Sequence, residues 1–94
     1  MMPYIRQERR DKFSAHLEDV LDQLETTGEL NYCITYLLHG CLNNWGLRYN
    51  TLNELMGAME CAKSEFYRTV VEPYEDEKCQ ENGPVRPSIG ERRE

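Results

Sequence analysis

The sequence contains no long hydrophobic run. No stretch approaches the roughly 20 consecutive apolar residues that a membrane-spanning helix needs, and the first residues become polar too early for a secretory signal. We therefore predict a cytoplasmic protein that does not interact with membranes. Because 39% of the residues are hydrophobic and 30% are charged, we expect a packed domain rather than a disordered chain.

Short cysteine spacings are also missing. None of the four cysteines forms a C-x-x-C pair, although structural zinc sites favour such closely spaced ligands. Cysteines of cytosolic proteins are expected to stay thiols rather than to form a disulfide framework. We predict no metal site and no cofactor. The cysteines concerned are Cys33, Cys41, Cys61 and Cys79.

A basic stripe that could neutralise several phosphates is absent too. The formal net charge is −6, and the basic residues lie mainly near the two ends of the chain, where acidic residues dilute their field. Direct nucleic-acid binding is therefore disfavoured. An acidic surface can instead dock on a basic surface of another protein.

Strand-like alternation is lacking, and apolar residues recur at spacings of three and four. This period predicts amphipathic helices from Arg6 to about Leu24, from the Thr26 region to about Asn43, and from the Thr51 region to Pro73. Thr26 with Glu29, and Thr51 with Glu54, have the spacing of a capping box, which marks the start of a helix.

Proline and glycine indicate how the helical part ends. Pro73 should end the third helix and serve as the first residue of a short fourth helix that reaches Glu81. We predict an all-α fold, a small helical bundle of three main helices plus a short C-terminal helix. Residues 1–83 should form a single helical domain, and residues 84–94 a flexible, disordered tail.

The third helix has an unusually wide apolar face. Its surplus of apolar surface predicts a homodimer, with a bundle completed between two chains. The main stripe contains Leu52, Leu55, Met56, Met59, Ala62, Phe66 and Val70, and Ala58, Tyr67 and Val71 widen it.

Three segments resemble a family of small uncharacterised proteins encoded by tailed phages, bacteria and archaea. They are "MPYIRQERRDKF", "LNYCITYLLH" and "NELMGAMECAKSEFYRTVVEPYEDEKCQENG", and the likeness covers roughly residues 2–83. Thr69 stands where a second arginine is common in that family, and Pro84 where an acidic residue is usual. The resemblance implies a phage or prokaryotic cytosolic origin, with the host cytoplasm as the location of a phage-encoded chain, and no established activity.

A metal-dependent enzyme is one possible function. Nucleotide pyrophosphohydrolases of the MazG kind hold Mg²⁺ with carboxylates one helical turn apart. The candidates here are Asp19, Asp22 and Glu25, with Glu54 or Glu60 opposite them. The first three should instead face solvent, opposite the apolar stripe. Glu72 and Glu75 have the E-x-x-E spacing, but Pro73 between them should break the helical geometry that the motif needs.

Two further residues have a plain structural interpretation. His39 could act as a base or a ligand, but we expect it to lie at the C-terminal end of the second helix and to interact with the helix dipole. Cys61 lies beside the main apolar stripe, so we expect a small core residue rather than a reactive thiol.

A protein-binding surface is the alternative that we favour. Glu60 with Lys63, and Glu65 with Arg68, have the spacing of helical ion pairs. Tyrosine and arginine are residues that protein interfaces favour. Tyr74 should pack back on the bundle, beside acidic residues in the first turn of the last helix. The candidate partner-binding residues are Asn53, Glu60, Lys63, Tyr67, Arg68, Tyr74, Glu75 and Asp76.

The sequence thus predicts a small phage-type accessory protein that acts by binding another protein. Its target would be a host factor that it modulates or inhibits, and it would have no catalytic residues of its own. Two alternatives stay open: a MazG-like nucleotide pyrophosphohydrolase assembled across a dimer, and a minor component of the virion.

Overall fold

The computed structural model describes residues 5–83, of which 89% are helical. Among these residues there is no β-strand, which confirms the all-α prediction. The helices are α1 (Gln7–Gln23), α2 (Thr27–Trp45), α3 (Tyr49–Phe66) and α4 (Glu72–Asn82), and a π-helical turn (Tyr67–Val71) joins α3 to α4. The predicted tail, residues 84–94, lies outside the described residues.

The chain divides into two compact units, Met1–Trp45 and Gly46–Glu94. The first contains α1 and α2, and the second contains α3, the π-helical turn and α4. The single domain expected for residues 1–83 stays a prediction.

In the first unit, the start of α2 is stabilised by the capping box that the sequence predicts. The backbone N–H of Glu29 donates to Thr26 Oγ1 at 3.1 Å, and Glu29 Oε1 accepts from the backbone N–H of Thr26 at 3.3 Å. The same oxygen also accepts from the backbone N–H of Glu25 at 2.7 Å. Backbone donors that a helix start leaves without partners are satisfied in this way.

Replacing Thr26 by alanine is expected to lower the free energy of unfolding by about 1 kcal/mol, because the hydroxyl that receives the Glu29 amide is lost. Urea unfolding followed by circular dichroism measures the change. Thr27→Ala is the matched control, since Thr27 is exposed and already helical, and it should shift the value by a few tenths of a kcal/mol at most. Equal losses in the two variants would contradict the capping assignment.

The C-terminal end of α2 lies beyond the predicted Asn43. The helix continues to Trp45, and Gly46 follows with φ +98°, a backbone conformation that glycine adopts readily. His39 therefore lies more than one turn before the end of α2, whose last turn contains no basic residue. The prediction that His39 caps this helix is wrong. The helix was expected to end at about Asn43, but it continues to Trp45.

In the second unit, α3 begins earlier than predicted. Arg48 has an extended backbone (φ −140°, ψ 157°) and occupies the N-cap position, and its carbonyl accepts from the backbone N–H of Leu52 at 3.0 Å. Thr51 is therefore already inside the helix, where it is only 2% exposed. The predicted Thr51–Glu54 capping box is wrong, because a capping threonine needs the extended backbone that Arg48 has.

Pro73 lies in the first turn of α4, one residue after Glu72 begins the helix, and it does not interrupt the helical run. In a regular α-helix its missing N–H would leave the carbonyl of Thr69 without a donor, and its ring would clash there. The π-helical turn changes the pairing, because the N–H of Glu72 bonds to the carbonyl of Tyr67, five residues earlier. Helical backbone angles thus continue from Phe66 through Glu72. At the other end, Asn82 and Gly83 terminate α4 as predicted, and Gly83 has φ +86°.

Apolar side chains in both units remain accessible. Among residues 5–83 no hydrophobic residue is buried, and Thr51 is the one buried residue of any kind. Cys61 is exposed, so its predicted place in a core is wrong. Tyr74 is 58% exposed and likewise does not pack back as expected. The wide apolar face predicted for the third helix is exposed at Leu52, Met56 and Phe66 on α3 and at Val70 on the π-helical turn.

Candidate protein-binding surface

One hydrogen bond between side chains of the second unit spans the π-helical turn. The hydroxyl of Tyr67 donates a hydrogen bond to Glu75 Oε1 at 3.2 Å. In a regular α-helix, residues eight apart would be separated by about 80° around the axis. The extra residue of a π-helical turn reduces that separation, so Tyr67 and Glu75 can meet on one side of the helix. The turn that accommodates Pro73 therefore also creates this contact.

Acidic neighbours raise the pKa of Tyr67. The main cause is the hydrogen bond to Glu75, followed by the negative charge of that carboxylate, with smaller effects from slight burial and from Glu72 and Asp76. At neutral pH the hydroxyl of Tyr67 thus keeps its proton and remains a donor. The raised pKa means that the contact stabilises the fold below the ordinary pKa of tyrosine, and that this stabilisation is lost as the pH rises through the raised value.

A spectroscopic titration tests this environment. The tyrosines of the wild-type chain should include one that ionises above the usual range, and Glu75→Gln should return it towards the ordinary value. Ultraviolet absorbance of tyrosinate against pH gives the curves. Glu77→Gln removes the same charge nearby on α4 and should leave the high-pKa component in place. A wild-type curve with no such component would contradict the Tyr67–Glu75 contact.

Tyr74 is exposed, but its ring has a cationic neighbour. The ammonium group of Lys78 lies 5.5 Å from the ring centroid, and the same group is 3.3 Å from Glu81 Oε1. These contacts use the i,i+4 and i,i+3 spacings of a helix. Lys78 was missing from the predicted site, although both spacings are visible in the sequence once α4 is known to be a helix.

We call the residues around these contacts the acidic aromatic surface. They lie on the π-helical turn and on α4, and Glu75 and Asp76 act electrostatically on Tyr67. All of them are exposed. The surface consists of Tyr67, Tyr74, Glu75, Asp76 and Lys78.

Arg68 forms the ion pair that its spacing predicts. Its Nη2 atom lies 3.0 Å from Glu65 Oε1 and 3.1 Å from Oε2. This pair is solvent-accessible and should therefore add little to stability. The corresponding pair of Glu60 with Lys63 does not form between these two described residues, so that prediction is wrong. Flexible exposed side chains lose entropy on pairing, and three-residue spacing alone does not compensate for it.

The remaining predicted residues lie elsewhere on α3. Asn53, Glu60 and Lys63 are exposed, and within the described part of the chain no side-chain hydrogen bond or ion pair joins them to the acidic aromatic surface. The backbone N–H of Tyr67 does donate to the carbonyl of Lys63, one helical turn earlier. Side-chain contacts therefore connect C-terminal members of the predicted set, such as Tyr67 and Glu75, and do not extend to these three.

The carboxylates considered for catalysis are dispersed. Asp19, Asp22 and Glu25 are exposed, as predicted. Glu72 and Glu75 do lie on a continuous helix, so the expected disruption by Pro73 is wrong, and Glu75 accepts the hydrogen bond of Tyr67. Within residues 5–83, no group of three or more His, Cys, Asp or Glu side chains is placed to hold a metal ion.

Hydropathy adds one further observation. None of the helices between residues 5 and 83 combines the length and the apolar character needed to cross a membrane.

Comparison with known proteins defines the family. A family described as "Domain of unknown function (DUF6899)" matches residues 2–85, and the chain therefore belongs to it. No significant match was found among curated proteins or among solved structures. Membership agrees with the resemblance to an uncharacterised family.

Proposed function

We propose that this chain is a small phage-type accessory protein that acts by binding another protein, with no catalysis of its own. The target is a host factor that the chain modulates or inhibits. The observation that carries the proposal is the acidic aromatic surface, on which two pairs of exposed side chains are in contact: Tyr67 with Glu75, and Tyr74 with Lys78.

The contacts on this surface reduce the entropic cost of binding. An exposed tyrosine or lysine normally samples several rotamers, and fixing it at an interface costs on the order of 1 kcal/mol. Here the Tyr67 hydroxyl is hydrogen-bonded to Glu75, and the Tyr74 ring has Lys78 beside it. Part of that ordering is therefore present before a partner arrives. Tyrosine is also among the residues that contribute most to interface affinity.

The charge of the surface indicates the chemistry of the partner. Glu75 and Asp76 are exposed, and Glu72 lies close enough to affect Tyr67 electrostatically. A partner surface with arginine or lysine would complement them and would associate faster at low salt. We therefore expect the target to present a basic patch, and the net charge of −6 favours such an encounter over long distances.

Affinity capture tests the proposal. The tagged full chain is expressed in an infected host, and the co-purifying proteins are quantified by mass spectrometry against a tag-only control. One protein at near-equal stoichiometry, released by raised salt, is the expected result. Absence of any stoichiometric partner, together with thermal stabilisation of the purified chain by Mg²⁺ and a nucleoside triphosphate, would overturn the proposal in favour of a nucleotide hydrolase.

A further inference from the structure

Pro73 lies inside a continuous run of helical backbone. Phe66, Val71 and Glu72 have right-handed helical backbone angles, and Pro73 follows them in the first turn of α4. We call the α register the pairing in which each N–H bonds to the carbonyl four residues earlier. Proline destabilises this register strongly, because it has no N–H and its ring clashes with the carbonyl of the preceding turn.

The π-helical turn leaves one carbonyl without a helical donor. The N–H of Glu72, which would pair with Arg68 in the α register, bonds to the carbonyl of Tyr67 instead. The residue five places after Arg68 is Pro73, which has no N–H, so the π pairing cannot supply that bond either. A pairing with this defect persists only where the α register is less stable, and Pro73 makes it so.

The pairing in this turn determines which side chains meet. In an unbroken α-helix, Tyr67 and Glu75 would be separated by about 80° around the axis. With the π pairing, the hydroxyl of Tyr67 reaches Glu75 Oε1 at 3.2 Å. The contact of Tyr74 with Lys78 lies within α4 and does not depend on the turn. The hydrogen bond of Tyr67 is therefore the contact that a change of register would remove.

We propose that Pro73 is the residue that positions the acidic aromatic surface. It excludes the α register, and the π-helical turn that results holds Tyr67 beside Glu75. This inference rests on the partner-binding function proposed above and adds to it a positioning residue that acts through the backbone. Alanine at position 73 should therefore give a more stable helix and a weaker binder.

NMR couplings across hydrogen bonds in the isotope-labelled full chain measure the register directly. In the wild type, the N–H of Glu72 should couple to the carbonyl of Tyr67. In Pro73→Ala it should couple to the carbonyl of Arg68, as in an α-helix. Cys79→Ala, at another exposed position of α4, is the matched control and should keep the wild-type coupling. A coupling to Tyr67 that persists in Pro73→Ala, or a wild-type coupling to Arg68, would overturn the inference.

The change of register should also be visible at Tyr67. In Pro73→Ala, the tyrosinate titration should lose its high-pKa component, because Tyr67 no longer reaches Glu75. The Tm should rise at the same time, because alanine supplies the missing N–H and favours helix. A substitution that only damaged the fold would lower the Tm instead. A retained high-pKa component, or a lower Tm, would contradict the role of Pro73.

Partner capture separates this inference from the proposed function. Pro73→Ala should lose capture although it leaves every side chain of the acidic aromatic surface in the chain, and Cys79→Ala should capture as the wild type does. Alanine at Tyr74, Glu75 and Asp76 together removes the surface itself. Capture that is lost in this triple variant and kept in Pro73→Ala would overturn the inference alone. Capture that is kept in both would overturn the proposed function, and the NMR couplings would still decide the role of Pro73.

Discussion

Alanine at Tyr74, Glu75 and Asp76 together is expected to abolish partner capture while the helix content stays unchanged. Truncation of an interface residue that contributes strongly costs about 2 kcal/mol or more, which is roughly a 30-fold loss in affinity for each such residue. Tyr74 is the expected anchor. Glu75 is expected to lose both its contact with the partner and its hydrogen bond to Tyr67.

The same substitutions should leave the fold intact. All three side chains are exposed on α4, and alanine is the residue that favours helix most. The lost Tyr67–Glu75 hydrogen bond is solvent-accessible and is expected to contribute little to stability. Far-ultraviolet circular dichroism of the variant should therefore overlay that of the wild type.

A matched variant separates the surface from a general effect of charge. Alanine at Tyr49, Glu54 and Glu77 also removes one tyrosine and two carboxylates from exposed positions of the second unit. Capture by this variant should equal that of the wild type. If the two triple variants behave alike, the acidic aromatic surface is not the binding site.

The second large effect concerns thermal stability and chain concentration. A hundredfold increase in concentration should stabilise a dimer by about 2.7 kcal/mol, because the second copy binds only the folded state. Divided between the two chains of 94 residues, this is about 1.4 kcal/mol for each chain, which corresponds to a rise in Tm of roughly 5–10 °C. Differential scanning calorimetry at several concentrations measures it.

A substitution on α3 provides the control for this prediction. Met56→Glu places a charge on the wide apolar face from which the homodimer is predicted, and it should remove the dependence of Tm on concentration. A wild-type Tm that is constant over the hundredfold range would show that folding is not coupled to association.

Local features of the fold followed well from sequence. The three- and four-residue periodicity identified α1, α2 and α3, and the Thr26–Glu29 spacing predicted a capping box that the structure contains. The second capping box was wrong because Arg48, which has no such signature, is the N-cap residue. Capping spacings are common by chance, and the choice between them depends on where the preceding chain enters the helix.

The outcome at Pro73 was harder to predict. A proline lacks one backbone donor, so ending the helix was the simpler expectation, and a π-helical turn satisfies the same constraint without a break. Continuity across this turn determines the candidate surface, because it brings Tyr67 to Glu75. The contact of Tyr74 with Lys78 lies within α4. Asn53, on α3, was predicted from the sequence as part of the same binding surface, but its side chain makes no hydrogen bond with the acidic aromatic surface.

Burial was the least predictable property. An apolar stripe indicates that a face will be covered, but the covering group can belong to the same chain, to a second copy or to another protein. Cys61 and Tyr74 were expected to be covered and are exposed. For the same reason, the homodimer that the apolar surplus of α3 predicts stays a prediction, and that face is exposed at Leu52, Met56 and Phe66.

Hydrogen–deuterium exchange of the full chain, with and without its captured partner, tests the central claim most directly. Binding through the acidic aromatic surface predicts slower amide exchange in peptides that cover the π-helical turn and α4, with exchange in α1 and α2 unchanged. Protection confined to α1 and α2, or no protection anywhere at saturating partner, would contradict the proposal that this surface binds the partner.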